Sequence, residues 1–161
     1  MQNPVTYHTS FDFSLVKKYS FYSSGSPFFD SQNLNHSQRN RIEIAIEKNL
    51  NKQGFVYSNI DNTDIIVTYH LVKNNPDEYQ AYNKAILFCP HCLKANTWQQ
   101  DNNQWHAYPG GLIVDLIDPK KHRSVWRSIY PLKYNAKDNS NELNEKIITA
   151  VDNMLQQYPK K

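Results

Sequence analysis

The chain has 161 residues, of which 39% are hydrophobic and 13% aromatic, enough for one domain whose core uses large rings and needs no disulfide framework. Its 18 basic and 15 acidic side chains leave a net charge of +3 without a concentrated basic stripe, which argues against nucleic-acid binding. The chain contains no run of 18 apolar residues, so no membrane span is predicted. The opening Met-Gln-Asn-Pro lacks the features of a signal peptide.

The first third of the chain predicts two strands and a helix. Apolar side chains on alternate positions from 5 to 13 are typical of a strand, and a second short strand is predicted at 19–22. Residues 23–36 have loop composition. The helix that follows has Ser37 as its cap and Gly54 beyond its end, with a buried face of Ile42, Ala45, Ile46 and Leu50.

Strands, a hairpin and a second helix are predicted in the remainder. The strands cover 55–57 and 64–72, and a hairpin joins 112–117 to 124–132. Between them, residues 78–109 lack a periodic pattern and are interpreted as an irregular, aromatic-rich insertion. The last helix is capped by Ser140 or Asn141 and has a buried stripe of Leu143, Ile147, Val151, Met154 and Tyr158.

This order of elements predicts the fold class. Several hairpin-type strands with only two helices favour an α+β domain, a two-layer sandwich in which a mostly antiparallel, mixed sheet carries both helices on one face. Neither a repeat nor a linker is visible, so residues 1–161 are expected to form a single domain.

The chain also resembles a known family along nearly its whole length, least between 76 and 109. The resemblance lies in the order and spacing of short motifs: aromatic positions at 7, 13, 19 and 21, the helix end at 50–55, Asp-Ile-Ile-Val-Thr-Tyr at 64–69, Gly-Leu-Ile-Val-Asp-Leu-Ile-Asp at 111–118, Val-Trp-Arg at 125–127 and Tyr-Pro at 158–159. In these it is similar to the bacterial envelope lipoproteins grouped as domain of unknown function 4136.

The resemblance implies a location more than an activity. Such proteins are exported with a lipoprotein signal and anchored through a lipidated cysteine on the periplasmic side of the envelope, at the outer membrane. This sequence lacks that cysteine at its start. The family brings no catalytic residue and no cofactor, so we expect a non-enzymatic protein with a structural or binding role. Its partner would be an unknown envelope component, and it would meet the membrane only through a lipid anchor.

The sharpest local motif is Cys89-Pro90-His91-Cys92. Such a pair can close a local disulfide, which is the preferred interpretation in an oxidising compartment. The motif also resembles the active site of oxidising thioredoxin-like proteins, with Cys89 as nucleophile and Cys92 as resolving thiol. That fold needs a strand before the motif, for which 85–88 is a candidate, and a helix after it. Residues 93–104 are poor helix formers, which counts against catalysis.

Metal and hydrolytic sites have weaker support. Structural zinc needs four ligands, and only His91 or His106 could supplement the two thiols, so no metal is expected. No hydrolase motif or phosphate loop is present, and His8, His70 and His122 are interpreted as ordinary surface or satisfied side chains. Two acidic and two basic residues of the hairpin predict cross-strand ion pairs: Asp115 and Asp118 with Arg123 and Arg127.

A third possibility is a binding face made by the aromatic residues of the insertion. Trp98, Trp105 and Tyr108 are interleaved with Asn and Gln, a composition that suits sugar or peptide binding. The alternative is that these rings simply anchor a long loop on the sheet, and we favour that interpretation.

Overall fold

The computed structural model describes residues 5–22, 34–71, 76–88, 94–95, 111–132 and 139–159. Over these ranges the chain forms one seven-stranded sheet and three α-helices. The strands are β1 (Val5–Tyr7), β2 (Lys18–Phe21), β3 (Val56–Tyr57), β4 (Ile65–Leu71), β5 (Lys94–Ala95), β6 (Gly111–Asp118) and β7 (Arg123–Pro131). The helices are α1 (His36–Lys52), α2 (Pro76–Ala85) and α3 (Ser140–Leu155).

The sheet is mixed and mostly antiparallel, as predicted. Its strand order is β3-β2-β4-β6-β7-β1-β5. β2 lies parallel to β3 and to β4, whereas the other four pairs are antiparallel. The predicted hairpin is present as β6 and β7, with a register shift between Leu116 and Ile117. This hairpin forms the middle of the sheet, so its side chains are covered on both sides.

Alternation along the strands divides the side chains between two faces. The first face packs against α1 and α3, and its cluster is apolar. It includes Ile65, Val67, Tyr69, Leu112, Val114 and Leu116 from the central strands and Ile42, Ile46, Leu50, Ile147, Val151 and Met154 from the helices. The prediction of an α+β sandwich with both helices on one face is therefore confirmed.

Both long helices begin with an asparagine cap slightly upstream of the predicted position. The Asn35 side chain accepts the N–H of Gln38, whose own side chain accepts the N–H of Asn35, closing a capping box. Asn139 likewise accepts the N–H of Glu142 at the start of α3. Beyond α1, Gly54 has a φ of 99°, a conformation that a glycine adopts without the Cβ penalty.

The first strand is shorter than its sequence pattern predicts. β1 ends at Tyr7, and the chain turns before a single 3-10 turn, Phe13–Leu15, which Asp12 caps by accepting the N–H of Ser14. Phe13 is nevertheless buried and packs edge-on against Tyr158 after α3. The alternating apolar residues thus do reach the core, but a turn rather than a continuous strand brings them there.

Helix α2 is the main departure from the sequence prediction, because residues 78–85 were expected to be irregular. Pro76 stands at the first helical position, where its missing N–H interrupts no hydrogen bond, so this proline is compatible with the start of the helix. The proposed strand at 85–88 is wrong: Ala85 ends α2, and Leu87 has a φ of 51°. Tyr82 and Ile86 pack on the second face of the sheet, opposite α1 and α3.

Candidate functional site

The second face of the sheet gathers polar side chains beneath α2. In β4, β6 and β7 these are Thr68, His70, Asp115, Ser124 and Arg127, all of them buried. Isoleucine side chains of the same strands lie between them on this face and pack with Tyr82 and Ile86. A buried polar group is stable only when it is hydrogen-bonded, so the partners of these side chains define what the cluster can do.

A salt bridge lies at the centre of this cluster. Asp115 and Arg127 are register partners on β6 and β7, and Arg127 Nε donates to Asp115 Oδ1 at 2.9 Å while Nη2 donates to Oδ2 at 3.2 Å. The two side chains are 0% and 1% exposed. The predicted cross-strand pairing of these two residues is confirmed. The other proposed partners, Asp118 and Arg123, also face each other in register.

Two hydroxyl groups complete the coordination of the Asp115 carboxylate. Ser124 Oγ donates to Oδ1 at 2.8 Å, and the Tyr82 hydroxyl donates to Oδ2 at 2.7 Å. The Tyr82 hydroxyl also lies 3.1 Å from Thr68 Oγ1. Burial, followed by the Asp115 charge, raises the pKa of Tyr82 well above its ordinary value. Tyr82 therefore remains a neutral donor that ties α2 to the sheet.

Aromatic rings enclose the Arg127 guanidinium. Its central carbon lies 3.6 Å from the Phe88 ring centroid and less than 6 Å from those of Tyr79 and Tyr82, and Nη1 donates to the Tyr79 hydroxyl at 3.2 Å. Burial opposes the charge on Arg127, but Asp115, Tyr79 and Tyr82 together outweigh it and keep the pKa above its ordinary value. The cation is thus held from both sides, by the sheet and by rings from α2 and the residues after it.

This cluster is suited to holding structure rather than to reacting. Its acid, its base and its hydroxyls are bonded to one another, and the residues that form it are at most 2% exposed. A catalytic acid or base needs access to a substrate, which these side chains lack. What the cluster does is fix α2 and Phe88 on the sheet. His70 joins it by stacking on Tyr82, with ring centroids 4.7 Å apart.

The sequence-predicted site residues Cys89, Cys92, Trp98, Trp105 and Tyr108 lie outside the described residues. The disulfide and the aromatic binding face stay predictions. The structure does describe the residues on either side of the cysteine motif. The residues before it are the end of α2, the left-handed Leu87 and the anchored Phe88. Two residues after Cys92, the chain is in β5, paired with Thr6 and Tyr7 of β1.

An open groove of about 780 Å³ lies at the end of the sheet where β1 and β6 end and β4 and β7 begin. Its walls combine the β1–β2 connection, the turn before β4 and the tip of the β6–β7 hairpin.

Among the residues that the structure describes, no group of three or more His, Cys, Asp or Glu side chains is placed to hold a metal ion. Within the same residues, none of the helices has the length and apolarity to cross a membrane.

Comparison with known proteins adds family and fold. The family model described as "Domain of unknown function (DUF4136)" matches residues 4–160. A DUF4136 protein of known structure from Bacteroides thetaiotaomicron has a TM-score of 0.58 at 14% identity, covering 98% of this chain and 96% of that one. No curated protein matches the chain at a significant level.

Two further solved structures share the fold. A PDZ domain protein from Parabacteroides distasonis has a TM-score of 0.50 at 20% identity over 99% of this chain, which spans 37% of that longer protein. A PelC dodecamer from Paraburkholderia phytofirmans has a TM-score of 0.50 at 10% identity, with both chains fully covered. At these identities the likeness extends to the fold alone.

Proposed function

This chain belongs to the DUF4136 family, and we propose that it is a non-enzymatic domain with a structural or binding role on the periplasmic side of the bacterial envelope. The location rests on the resemblance of the sequence to this family, which implies export as a lipoprotein. The absence of an enzymatic role is argued from the geometry of the two places where chemistry is conceivable: the buried cluster and the cysteine motif.

The observation that carries the proposal is the closed state of the Asp115–Arg127 cluster. Each charge has the other as partner, and the remaining carboxylate positions are filled by Ser124 and Tyr82. A group that acts as an acid or base in catalysis is instead left with an unsatisfied position facing its substrate. The cluster therefore supports a scaffold that holds α2, not a reaction centre.

The flanks of the cysteine motif support the same conclusion. A reactive Cys-x-x-Cys pair sits at the start of a helix, whose dipole stabilises the thiolate of the first cysteine. Here Lys94 and Ala95 are strand residues paired with β1, so a helix that began at the motif would have to end before Lys94. That leaves less than one and a half turns, too short for a helix that stabilises a thiolate.

A turnover assay tests the enzymatic part of this proposal. The purified protein is mixed with a scrambled disulfide substrate in a glutathione buffer, alongside Cys89→Ser and Cys92→Ser. We expect the three proteins to show the same background rate, because a helix long enough to lower the pKa of the first thiol has no room before Lys94. Turnover that requires Cys89, together with a Cys89 thiol pKa below the ordinary cysteine value, would overturn the proposal in favour of a thiol–disulfide oxidoreductase.

Cell fractionation tests the location separately. The protein is expressed from its full-length gene in a Gram-negative host, and spheroplasts are treated with protease. We expect the protein to be digested while a cytoplasmic marker is protected. A protein that remains protected with that marker would contradict the envelope location and leave the turnover result untouched.

A further inference from the structure

The groove at the end of the sheet has one strongly basic wall. Four successive residues at the tip of the β6–β7 hairpin, Lys120, Lys121, His122 and Arg123, line it, and His8 from the end of β1 faces them. The four hairpin residues are consecutive in a chain whose net charge is only +3, and the fold adds His8 to them. Such a concentration of donors is typical of sites for anionic groups.

The hairpin tip is held by its own hydrogen bonds, so this wall exists before any ligand binds. The Asp118 carboxylate accepts the N–H of Lys120 at 2.9 Å, and the Asp118 carbonyl accepts the N–H of His122 at 2.7 Å. His122 adopts a φ of 54°, which turns the chain into β7. Because the backbone of the tip is fixed in this way, binding would cost conformational entropy mainly in the side chains.

His8 is oriented by Ser10. Its Nδ1 lies 3.3 Å from the backbone nitrogen of Ser10, which can only donate, and 2.7 Å from Ser10 Oγ. With Nδ1 in the accepting role, the neutral ring carries its proton on Nε2. Nε2 lies 3.3 Å from Nη2 of Arg123, which is also purely a donor. In this tautomer two N–H donors face each other, and an oxygen on the groove side of the pair that accepts from both would relieve the conflict.

The electrostatic environment of His8 agrees with this geometry. Burial and then the charges of Arg123 and Lys121 lower the pKa of His8. The other charged or titratable groups that line the groove are Lys120 and His122 on the hairpin, Asp118 beneath it, Asp12 beside His8, Tyr22 after β2, and Asp61 and Asp64 on the opposite wall. Those carboxylates restrict favourable anion binding to the basic wall.

We propose that His8, Lys121 and Arg123 form a binding site for one oxyanion, the phosphate or carboxylate group of a ligand. The anion's oxygens would accept from Arg123 and from His8 Nε2, with Lys121 supplying a further positive charge. The opposite acidic wall limits the site to a single anionic group and favours a neutral or cationic remainder of the ligand. This site goes beyond the proposed envelope role and does not depend on it.

An NMR titration of the isotope-labelled protein with inorganic phosphate tests the site, with chloride at equal ionic strength as the reference. We expect saturable shifts at His8 and at 121–123 and a higher His8 pKa at saturation, because a bound anion favours the protonated ring. Arg123→Gln and Lys121→Gln should each weaken phosphate binding by about tenfold, the effect of losing a charge-assisted hydrogen bond. Lys52→Gln at the end of α1 is the control, which removes the same charge elsewhere.

Each outcome bears on the proposal. Shifts that follow ionic strength alone, or a Lys52→Gln variant as weak as Arg123→Gln, would mean general charge screening and would overturn it. Acetate and phosphatidylglycerol vesicles then separate the sources of the oxyanion. Acetate competing with phosphate identifies a small carboxylate or phosphate ligand, whereas vesicle binding that Arg123→Gln abolishes identifies a lipid headgroup. Retained amide spectra of the variants show that they fold.

Discussion

The two faces of the sheet are stabilised by different kinds of contact. The first face and its helices α1 and α3 form an apolar cluster of leucine, isoleucine, valine and aromatic side chains. The second face buries a bidentate salt bridge between Asp115 and Arg127, which is covered by Tyr82 of α2 and by Ile86 just after that helix. Apolar burial is non-directional and tolerates conservative exchange, whereas a buried charge requires a particular partner at a particular place.

The difference bears on what each face specifies. On the first face, stability grows with the area removed from water and with the closeness of packing. On the second face, desolvation of two charges offsets much of their attraction, so the pair adds little net stability but penalises any arrangement that separates it. We infer that the first face supplies most of the folding free energy and that the second face fixes the position of α2 and Phe88.

The largest expected effect comes from breaking the salt bridge on one side. Arg127→Met leaves the Asp115 carboxylate buried without its cation and should lower the free energy of unfolding by about 3–5 kcal/mol. Urea unfolding followed by circular dichroism measures it. A loss below about 1 kcal/mol would show that the buried pair does not distinguish the two faces.

The double variant Asp115→Leu/Arg127→Met is the matched control. It removes both charges, and the hydroxyls left behind keep partners, since Tyr82 still faces Thr68 and Ser124 Oγ lies 3.2 Å from the Trp126 carbonyl. Most of the lost stability should therefore return. A double variant as unstable as Arg127→Met alone would mean that packing, and not the uncompensated charge, causes the loss.

A substitution on the first face should cost slightly less and behave differently. Ile46→Ala removes a fully buried side chain of α1 and should destabilise the protein by about 2–5 kcal/mol through lost transfer energy and a cavity. Because Ile46 and Arg127 lie on opposite faces, their effects should add to within about 0.5 kcal/mol in the double variant, measured by the same urea unfolding. A larger coupling energy would show that the two faces do not act independently.

The sequence predicts the first face far better than the second. Alternation in β4 and β6 and the helical spacing in α1 and α3 are strong periodic signals, because one side of each element is buried against apolar neighbours. On the second face, alternation places Asp115 opposite Arg127, and that pair was predictable. The helix that covers the pair was not predictable, because α2 begins at a proline, carries a polar surface and contacts the sheet through Tyr79 and Tyr82, with Ile86 following just after its end.

The candidate anion site was missed for a related reason. His8 is separated from Arg123 by more than a hundred residues, and only the pairing of β1 with β7 brings them together. The run from Lys120 to Arg123 is visible in the sequence, but it predicts only an ordinary solvated turn, since a charged hairpin tip is common. Cys89 and the insertion aromatics had the strongest local signals, and their roles stay predictions because they lie outside the described residues.

The smallest expected effect is a pH dependence that belongs to the first face. Tyr19 is fully buried there and donates to Asn51 Oδ1 at 2.9 Å; burial, and then the Glu47 charge, raises its pKa to about 12. In the unfolded chain a tyrosine ionises near pH 10. Above that pH the unfolded state loses its proton first, so the Tyr19 contribution to stability is complete below about pH 10 and is lost as pH rises toward about 12.

Urea unfolding of Tyr19→Phe between pH 8 and pH 11 measures this contribution, with the half-buried Tyr130→Phe as the control. We expect the decline in stability of Tyr19→Phe to be shallower than that of the unmodified protein, because phenylalanine has no proton to release. An unchanged slope in Tyr19→Phe would place the alkaline sensitivity elsewhere. Tyr69 and Tyr158 of the same face, and Tyr82 of the second face, would then be the next groups to replace, because burial also raises the pKa of each of them.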